Sequence, residues 1–329
     1  IQKEINVAQE RLNLHDGPLM RMVYSDEGEE TGRLFWTIHH LAVDGVSWRI
    51  LLEDLQTAYT QAVQGQKIQL PMKSTSFKEW SEKLQHYAQT GISKEVLHYW
   101  EQQVEQDVVI LPVDGTISNP VSAVTEEITV VLNENETRML LQETLSTHRV
   151  QINEVLLAAL VQATAACTGQ PILSVDLEGH GREEIIEDVD LSRTVGWFTS
   201  IYPVHLNITN ANTPIAALKA VKEQVRKIPN KGVDYGVLRY MNTTMCEPLS
   251  SQYTPSISFN YLGQFDQMFS SDAMFIPENE FKRLDHAAGS KRSHVIDVIG
   301  VVTDGKLHFT WVYNVGQFAK STIQSIAQN

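Results

Sequence analysis

A mixed α+β sandwich is the fold class that this sequence predicts, on three observations. Strand-length and helix-length apolar patterns follow one another without the regular βαβ alternation of a doubly wound sheet. One helical stretch, residues 153–166, is apolar on almost every side and therefore has to be buried. The chain of 329 residues is 42% hydrophobic and 20% charged, ordinary globular usage that supports a packed core and leaves room for two domains or one large one.

Taken in order, residues 1–13 form a helix with Ile5, Ala8 and Leu12 on one face. His15-Asp16-Gly17-Pro18 stops it, and residues 19–24 read as a short strand. The polar segment SDEGEETG connects to a second strand, RLFWTIHH, giving an antiparallel pair followed by a helix. In that second strand the period of two places Leu34, Trp36, Ile38 and His40 on one face, and Phe35, Thr37 and His39 on the other. Asp44-Gly45 is a turn signal, after which Ile50, Leu51, Leu55, Ala58 and Ala62 recur at helical spacing to about residue 63. After a loop, Ser76 and Glu79 stand in the capping-box relation. They open a helical stretch over 77–104, broken near Thr90-Gly91, whose Trp80, Tyr87, Tyr99 and Trp100 read as core.

The turn-rich stretch LPVDGTISNPVS, residues 111–122, predicts a lobe boundary dividing 1–115 from 116–329. Beyond it lie a strand over 125–132, a helix capped by Asn133 and the buried helix over 153–166. Strands are then predicted over 172–177, 197–206, 256–261, 294–302 and 307–313, with a helix over 213–227.

Composition narrows the function classes. The net charge is −14 and there is no basic block, which argues against nucleic acid or an anionic membrane as a partner. The longest apolar run, 155–167, is interrupted by Gln162 and too short to span a bilayer, and no signal-peptide pattern is present. The two cysteines, Cys167 and Cys246, lack CxxC or metal spacing, which fits a reduced, cytoplasmic protein with both as small core residues. The chain opens inside a helix without an initiator Met, so a piece of a larger polypeptide, or one lacking its front portion, is expected.

Two stretches carry candidate chemistry. In HHLAVDG, adjacent strand residues point to opposite faces, so His39 and His40 cannot readily share a metal ion, and no third ligand lies nearby in sequence. An imidazole titrates near neutral pH, which makes one of the pair a candidate general acid or base. His40 is the better placed by face, with Asp44 fixing the loop and His39 structural, yet spacing alone leaves a catalytic and a purely structural pair equally open. In EGHGRE, the strand over 172–177 runs into Glu178, flanked by glycines that permit close backbone approach, with Arg182 nearby. This reads either as a solvated turn or as a carboxylate held at a strand end. RTVGWFTSIYP, with Tyr202, and FNYLG, with Asn260 and Tyr261, are weaker patterns whose side chains are able to donate hydrogen bonds.

Together, HHLAVDGVSWRIL, EGHGRE, RTVGWFTSIYPVHL and FNYLGQF resemble, in the expected order, the signatures of epimerization domains of nonribosomal peptide synthetases, a branch of the condensation-domain superfamily. They spread over most of the chain. HHxxxDG alone would fit the whole superfamily; EGHGRE and the Tyr-Pro form of the third stretch point to epimerization. The resemblance implies two chloramphenicol-acetyltransferase-like lobes in a V-shaped pseudo-dimer with a tunnel between them, His40 on the first lobe and Glu178 on the second. The family's first signature is missing, so the resemblance implies an N-terminal lobe that is incomplete here. A further signature, of GxGYG type, is looser and reads IPNKGVDYGVLRY.

By that resemblance the reaction is inversion at Cα, L to D and back, of an aminoacyl or peptidyl thioester. The domain itself binds no cofactor; the 4'-phosphopantetheine arm comes from an upstream peptidyl carrier domain of the same polypeptide, and a condensation domain of the next synthetase stands downstream. His40 and Glu178 are the implied catalytic pair, one acting as base and the other as acid or enolate stabiliser. Asp44, Arg182, Asn260, Tyr261 and Tyr202 take supporting or substrate-binding roles, while His39, Trp48 and Asp54 are structural. Two rivals stand beside this reading: a condensation domain, which has no need of a Glu at position 178, and a non-catalytic carrier-docking domain of the same fold.

Overall fold

Alternation of apolar and polar residues along the strands builds one large sheet whose two faces differ in chemistry. In the computed structural model, which describes residues 1–28, 32–106, 111–114, 124–242, 249, 255–264, 275–278 and 292–329, six strands are hydrogen-bonded in the order β3-β8-β7-β6-β4-β5. They are β3 (Thr125–Leu132), β4 (Ile172–Gly179), β5 (Ser200–Asn207), β6 (Ile257–Gln264), β7 (Ile296–Thr303) and β8 (Lys306–Asn314). The β4–β6 and β6–β7 pairings are parallel and the other three antiparallel, so the sheet is mixed, as the irregular order of elements predicts.

One face of this sheet is core. Leu173, Val175, Leu177, Val204, Leu206, Ile257, Phe259, Ile296, Val298, Leu307 and Tyr313 are buried there. They are covered by helices that include α7 (Ile152–Thr168), α8 (Pro214–Arg226) and α10 (Lys320–Gln328). Helix α7 is apolar all round because Leu157 and Val161 are fully buried within it. Its near-neighbour in sequence is a broken helix: α5 (Glu134–Arg138), opened by a capping box between Asn133 and Glu136, continues through a π-turn (Met139–Thr144) into α6 (Leu145–His148).

The chain divides into two compact units, counting the described residues of each span, and the division does not fall at residue 115. The first unit gathers Ile1–Trp80, Asp188–Phe198 and Met268–Ser290; the second gathers Ser81–Glu187, Thr199–Gln267 and Lys291–Asn329. Packing is the reason. Helix α4 (Lys94–Val104), which follows α3 (Phe77–Thr90), places the fully buried Trp100 against Tyr99, Tyr202 and Tyr235 in the core of the second unit, and Leu111 is buried in the same core. The turn-rich stretch expected to separate the lobes continues past Asp114 into residues 115–122, outside the described residues. So does Cys246, while Cys167 is an exposed thiol near the end of α7, not a core residue.

Within the first unit, α1 (Gln2–Glu10) buries Ile5 and Ala8, and β1 (Met20–Asp26) pairs antiparallel with β2 (Gly32–Ile38) from Met20↔Ile38 to Asp26↔Gly32. Residues 29–31 of their polar connection lie outside the described residues. Helix α2 (Gly45–Val63) follows. Two elements carried no sequence expectation: α9 (Val233–Tyr240), which follows the IPNKG turn, and α10. Among the described residues no single helix is long and apolar enough to cross a membrane.

Candidate active site

The HHLAVDG stretch is built differently from a strand tip. Strand β2 ends at Ile38. His39 then caps a short 3₁₀ turn (His40–Ala42), its Nδ1 accepting the Leu41 amide at 3.2 Å. The strand alternation therefore stops two residues before His40, and the face assigned to it from sequence does not apply. What orients His40 is a ring contact instead: its imidazole lies 4.8 Å from the Trp197 ring centroid at 59°, and the residue stays exposed.

Asp44 holds this loop to its surroundings. Its Oδ1 accepts the Ser47 amide at 2.7 Å, capping α2, and its Oδ2 accepts the Phe198 amide at 3.2 Å. Ser47 Oγ donates to the Gly196 carbonyl at 2.9 Å and accepts the Gly196 amide at 3.1 Å. Arg193 forms ion pairs with Glu53, at 3.0 Å, and with Asp54. Trp48 packs edge-on against Trp36 at 5.4 Å. The segment 188–198 thus belongs with α2 through buried polar contacts. Because Asp44 is only 4% exposed, Asp44→Ala is expected to cost about 1–2 kcal/mol, the upper part of the range for a lost N-cap, read as a lower urea midpoint.

In the second unit the polar face of the sheet carries the other candidate group. Glu178 ends β4, two residues after Asp176 and so on the same face. Parallel register sets Asp176 beside Ser258 of β6, and Ser258 beside Asp297 of β7. One step along, the Asn260 side chain donates a short hydrogen bond to Glu178 Oε2. Burial pushes the Glu178 carboxyl above its ordinary value of 4.5, and the nearby charge of His294 pulls it back down. Beyond the strand, Gly181 takes a left-handed φ of 67°, a conformation glycine adopts without penalty, and the Arg182 amide donates to His180 Nδ1 at 3.1 Å. Glu183 receives both His180, at 3.2 Å, and Lys231, at 2.8 Å.

Glu178 and Asn260 are therefore brought together, and Arg182 lies on the segment that leaves β4. Tyr202 is not part of this group. It pairs with Leu177 in register, points into the core at 5% exposure, and packs on Trp100. A Cβ at Gly232 (φ +87°) would sit 2.0 Å from the Tyr202 ring, so the IPNKG turn passes directly over it. Tyr261 follows Asn260 and packs against the core cluster on the opposite face. In the same turn Asn230 donates to Asp234 Oδ2 at 2.8 Å while Tyr87 donates to its Oδ1 at 2.9 Å, a structural use for the loose IPNKGVDYG signature.

Sequence reasoning missed Asp176, Ser258, Asp297, Arg292 and His294. The His294 side chain is 9% exposed, with Nε2 2.7 Å from Asp176 Oδ2 and Nδ1 3.8 Å from Asp297 Oδ1. Ser258 Oγ donates to Asp297 at 2.5 Å, and Arg292 forms an ion pair with the same carboxylate. A signal did exist: Ser174, Asp176 and Glu178 alternate with Leu173, Val175 and Leu177, and Ser258 and Asn260 alternate with Ile257 and Phe259. Among the described residues no group of three or more His, Cys, Asp or Glu is placed to hold a metal ion.

Comparison with known proteins gives the chain its family. The Condensation domain family model matches residues 1–329. Two proteins of the linear gramicidin synthase of Brevibacillus parabrevis are similar throughout. One is 47% identical over 326 residues, 98% of this chain and 4% of that protein. The other is 46% identical over 333 residues, 100% of this chain and 6% of that protein. The chain thus spans only a small fraction of these relatives' length. Among solved structures, the epimerization domain from the third module of tyrocidine synthetase B superposes with a TM-score of 0.87 at 35% identity, covering 99% of this chain and 73% of that one.

Proposed function

Because the chain belongs to the condensation-domain family, we propose that it is an epimerization domain, inverting Cα of an aminoacyl or peptidyl thioester carried on a phosphopantetheine arm. The observation that carries this reading is Glu178: a half-buried carboxylate on the polar face of the sheet, bonded by Asn260 and made more basic by burial. Joining two thioester substrates has no use for such a base, whereas proton removal from carbon does. The 35% identical epimerization domain supports the same choice within the family.

The chemistry follows from the groups. Glu178 takes the Cα proton; the C–H electron pair moves into a thioenolate, whose oxygen carries the charge. Asn260 holds the carboxylate through Oε2, leaving Oε1 to accept the proton. Reprotonation on the opposite face gives the other configuration. We assign that proton, or stabilisation of the thioenolate oxygen, to His40, whose exposed ring is set against Trp197. Asp44 and Trp48 keep the His40 loop in shape. The substrate arm comes from a peptidyl carrier domain upstream, and the product passes to a condensation domain downstream.

Solvent exchange tests the proposal. With an L-aminoacyl carrier domain in heavy water, deuterium is expected at Cα together with the D-isomer, and His40→Ala is expected to slow both by about 10²-fold or more. Peptide-bond formation without wash-in would assign the chain to condensation. Binding of the carrier without either reaction would make it a docking domain.

A further inference from the structure

Two further carboxylates share the polar face with Glu178, and their arrangement is not explained by proton abstraction alone. Asp176 stands two residues earlier on the same strand, and Asp297 is reached through Ser258 on the intervening strand. Carboxylates crowded on a poorly solvated surface repel one another, and each favours the neutral form of its neighbours. Two basic side chains stand against them, both from the segment that enters β7. Arg292 pairs with Asp297, and His294 lies between Asp297 and Asp176. His294 Nε2 is hydrogen-bonded to Asp176, and Asp297 Oδ1, 3.8 Å from Nδ1, adds a second negative charge beside the same ring; two carboxylates near one imidazole favour its charged form. The geometry therefore favours an imidazolium at His294.

We propose that His294, clamped as a cation between Asp176 and Asp297, is a positioning residue that holds Glu178 in its charged, proton-accepting form. The inference deepens the epimerization reading and assigns Glu178 its role: with a positive charge held on Asp176, two strand positions away on the same face, the carboxylate is the base, and the returning proton comes from elsewhere. Other ionisable groups among the described residues stand near this face: Tyr235 feels the charge of Asp176 and accepts a hydrogen bond from Arg239 at 2.8 Å. His180 and Lys231 are both bound to Glu183 past the strand end, and His205 on β5 faces Ser174 at 3.2 Å, two strand positions from Asp176. Tyr202 is turned to the opposite face. His294 is the basic group hydrogen-bonded to Asp176, on the same strand face as Glu178. Asn260 complements it by binding one carboxylate oxygen, a bond that survives protonation of the other.

The test reads Glu178 directly. Carboxyl ¹³C resonances of glutamate-labelled protein are followed against pH, with Glu178→Gln assigning the signal. In His294→Gln the Glu178 titration is expected to move to higher pH, and in His294→Lys, which restores a charge, to return toward that of the unaltered protein. In the exchange assay His294→Gln is expected to lose on the order of tenfold on the acid limb and little at alkaline pH. An unmoved titration in His294→Gln overturns the inference. So does a ¹⁵N spectrum of the unaltered protein showing a neutral, singly protonated His294 ring while Glu178 ionises, a measurement that needs no variant to fold. The two readings separate cleanly: a shifted titration without Cα exchange defeats epimerization alone, and Cα exchange with an unshifted titration defeats the His294 role alone.

Discussion

Glu178→Gln is expected to reduce Cα hydrogen exchange by about 10²–10⁴-fold, the range over which a positioned general base contributes, without loss of the fold. Glutamine keeps the length and a carbonyl oxygen for Asn260, but cannot accept a proton from carbon. The residual exchange expected from His40 and the thioester's own acidity sets the floor. In the unaltered protein the reaction is expected to rise with pH through a midpoint above the ordinary glutamate value, because burial raises the Glu178 carboxyl. That rise is expected to vanish in the glutamine variant, read as deuterium incorporation by mass spectrometry.

The same shift has an opposite consequence for stability. In the folded chain the Glu178 carboxyl keeps its proton to higher pH than in the unfolded chain, where 4.5 applies. Between the two midpoints the folded state binds more protons, so stability falls as pH rises through that window, and the loss is complete above the folded midpoint. A glutamine does not titrate. The variant is therefore expected to be at least as stable as the unaltered protein at neutral pH, measured by urea unfolding. A variant that is inactive and destabilised would instead mark Glu178 as structural.

Trp100→Ala is the substitution expected to damage the fold most, by about 3–5 kcal/mol, the range for deleting a buried Trp or Phe side chain. Trp100 is fully buried, with Tyr99 at 5.0 Å, Tyr235 at 5.1 Å and Tyr202 at 6.1 Å between ring centroids. Removing it leaves a cavity that three rings on separate elements cannot close together. Trp100→Phe should cost much less. It fills most of the volume and removes an indole N–H that finds no acceptor among the described residues. Chemical denaturation of both variants gives the comparison; equal losses would mean that the ring cluster relaxes around the gap.

The elements with strong local patterns were legible. The boundaries of β3, α2 and α8, and the caps at Asn133 and Ser76, follow from alternation and capping chemistry that act within a few residues. Glu178 and Asn260 were legible as members of motifs, but not as bonded partners, because their meeting depends on the parallel β4–β6 register. Long-range register likewise hid the His294–Asp176 pair, separated by more than a hundred residues. His40 was assigned to a face by extending strand alternation across a point where the chain turns into a 3₁₀ segment. Residues near an element's end are where periodicity stops carrying information. Helix α9 was obscured by the glycine-bearing turn before it and a glycine within it, both of which weigh against helix in the sequence.

The two chemically distinct faces of the sheet also limit how this protein can vary. Leu177 and Glu178, Phe259 and Asn260, and Asp297 and Val298 are neighbours in sequence that serve opposite faces. Sliding any one of these strands by a single position would exchange a core side chain for a polar one along its whole length, destroying packing and polar cluster at once. Single-residue insertions and deletions within β4, or within β6 before its register shift after Tyr261, are therefore expected to disrupt both, and changes of length are tolerated mainly in the connections. Substitution on the polar face, away from Asp176, Glu178, Ser258, Asn260 and Asp297, leaves the hydrophobic layer beneath as it is.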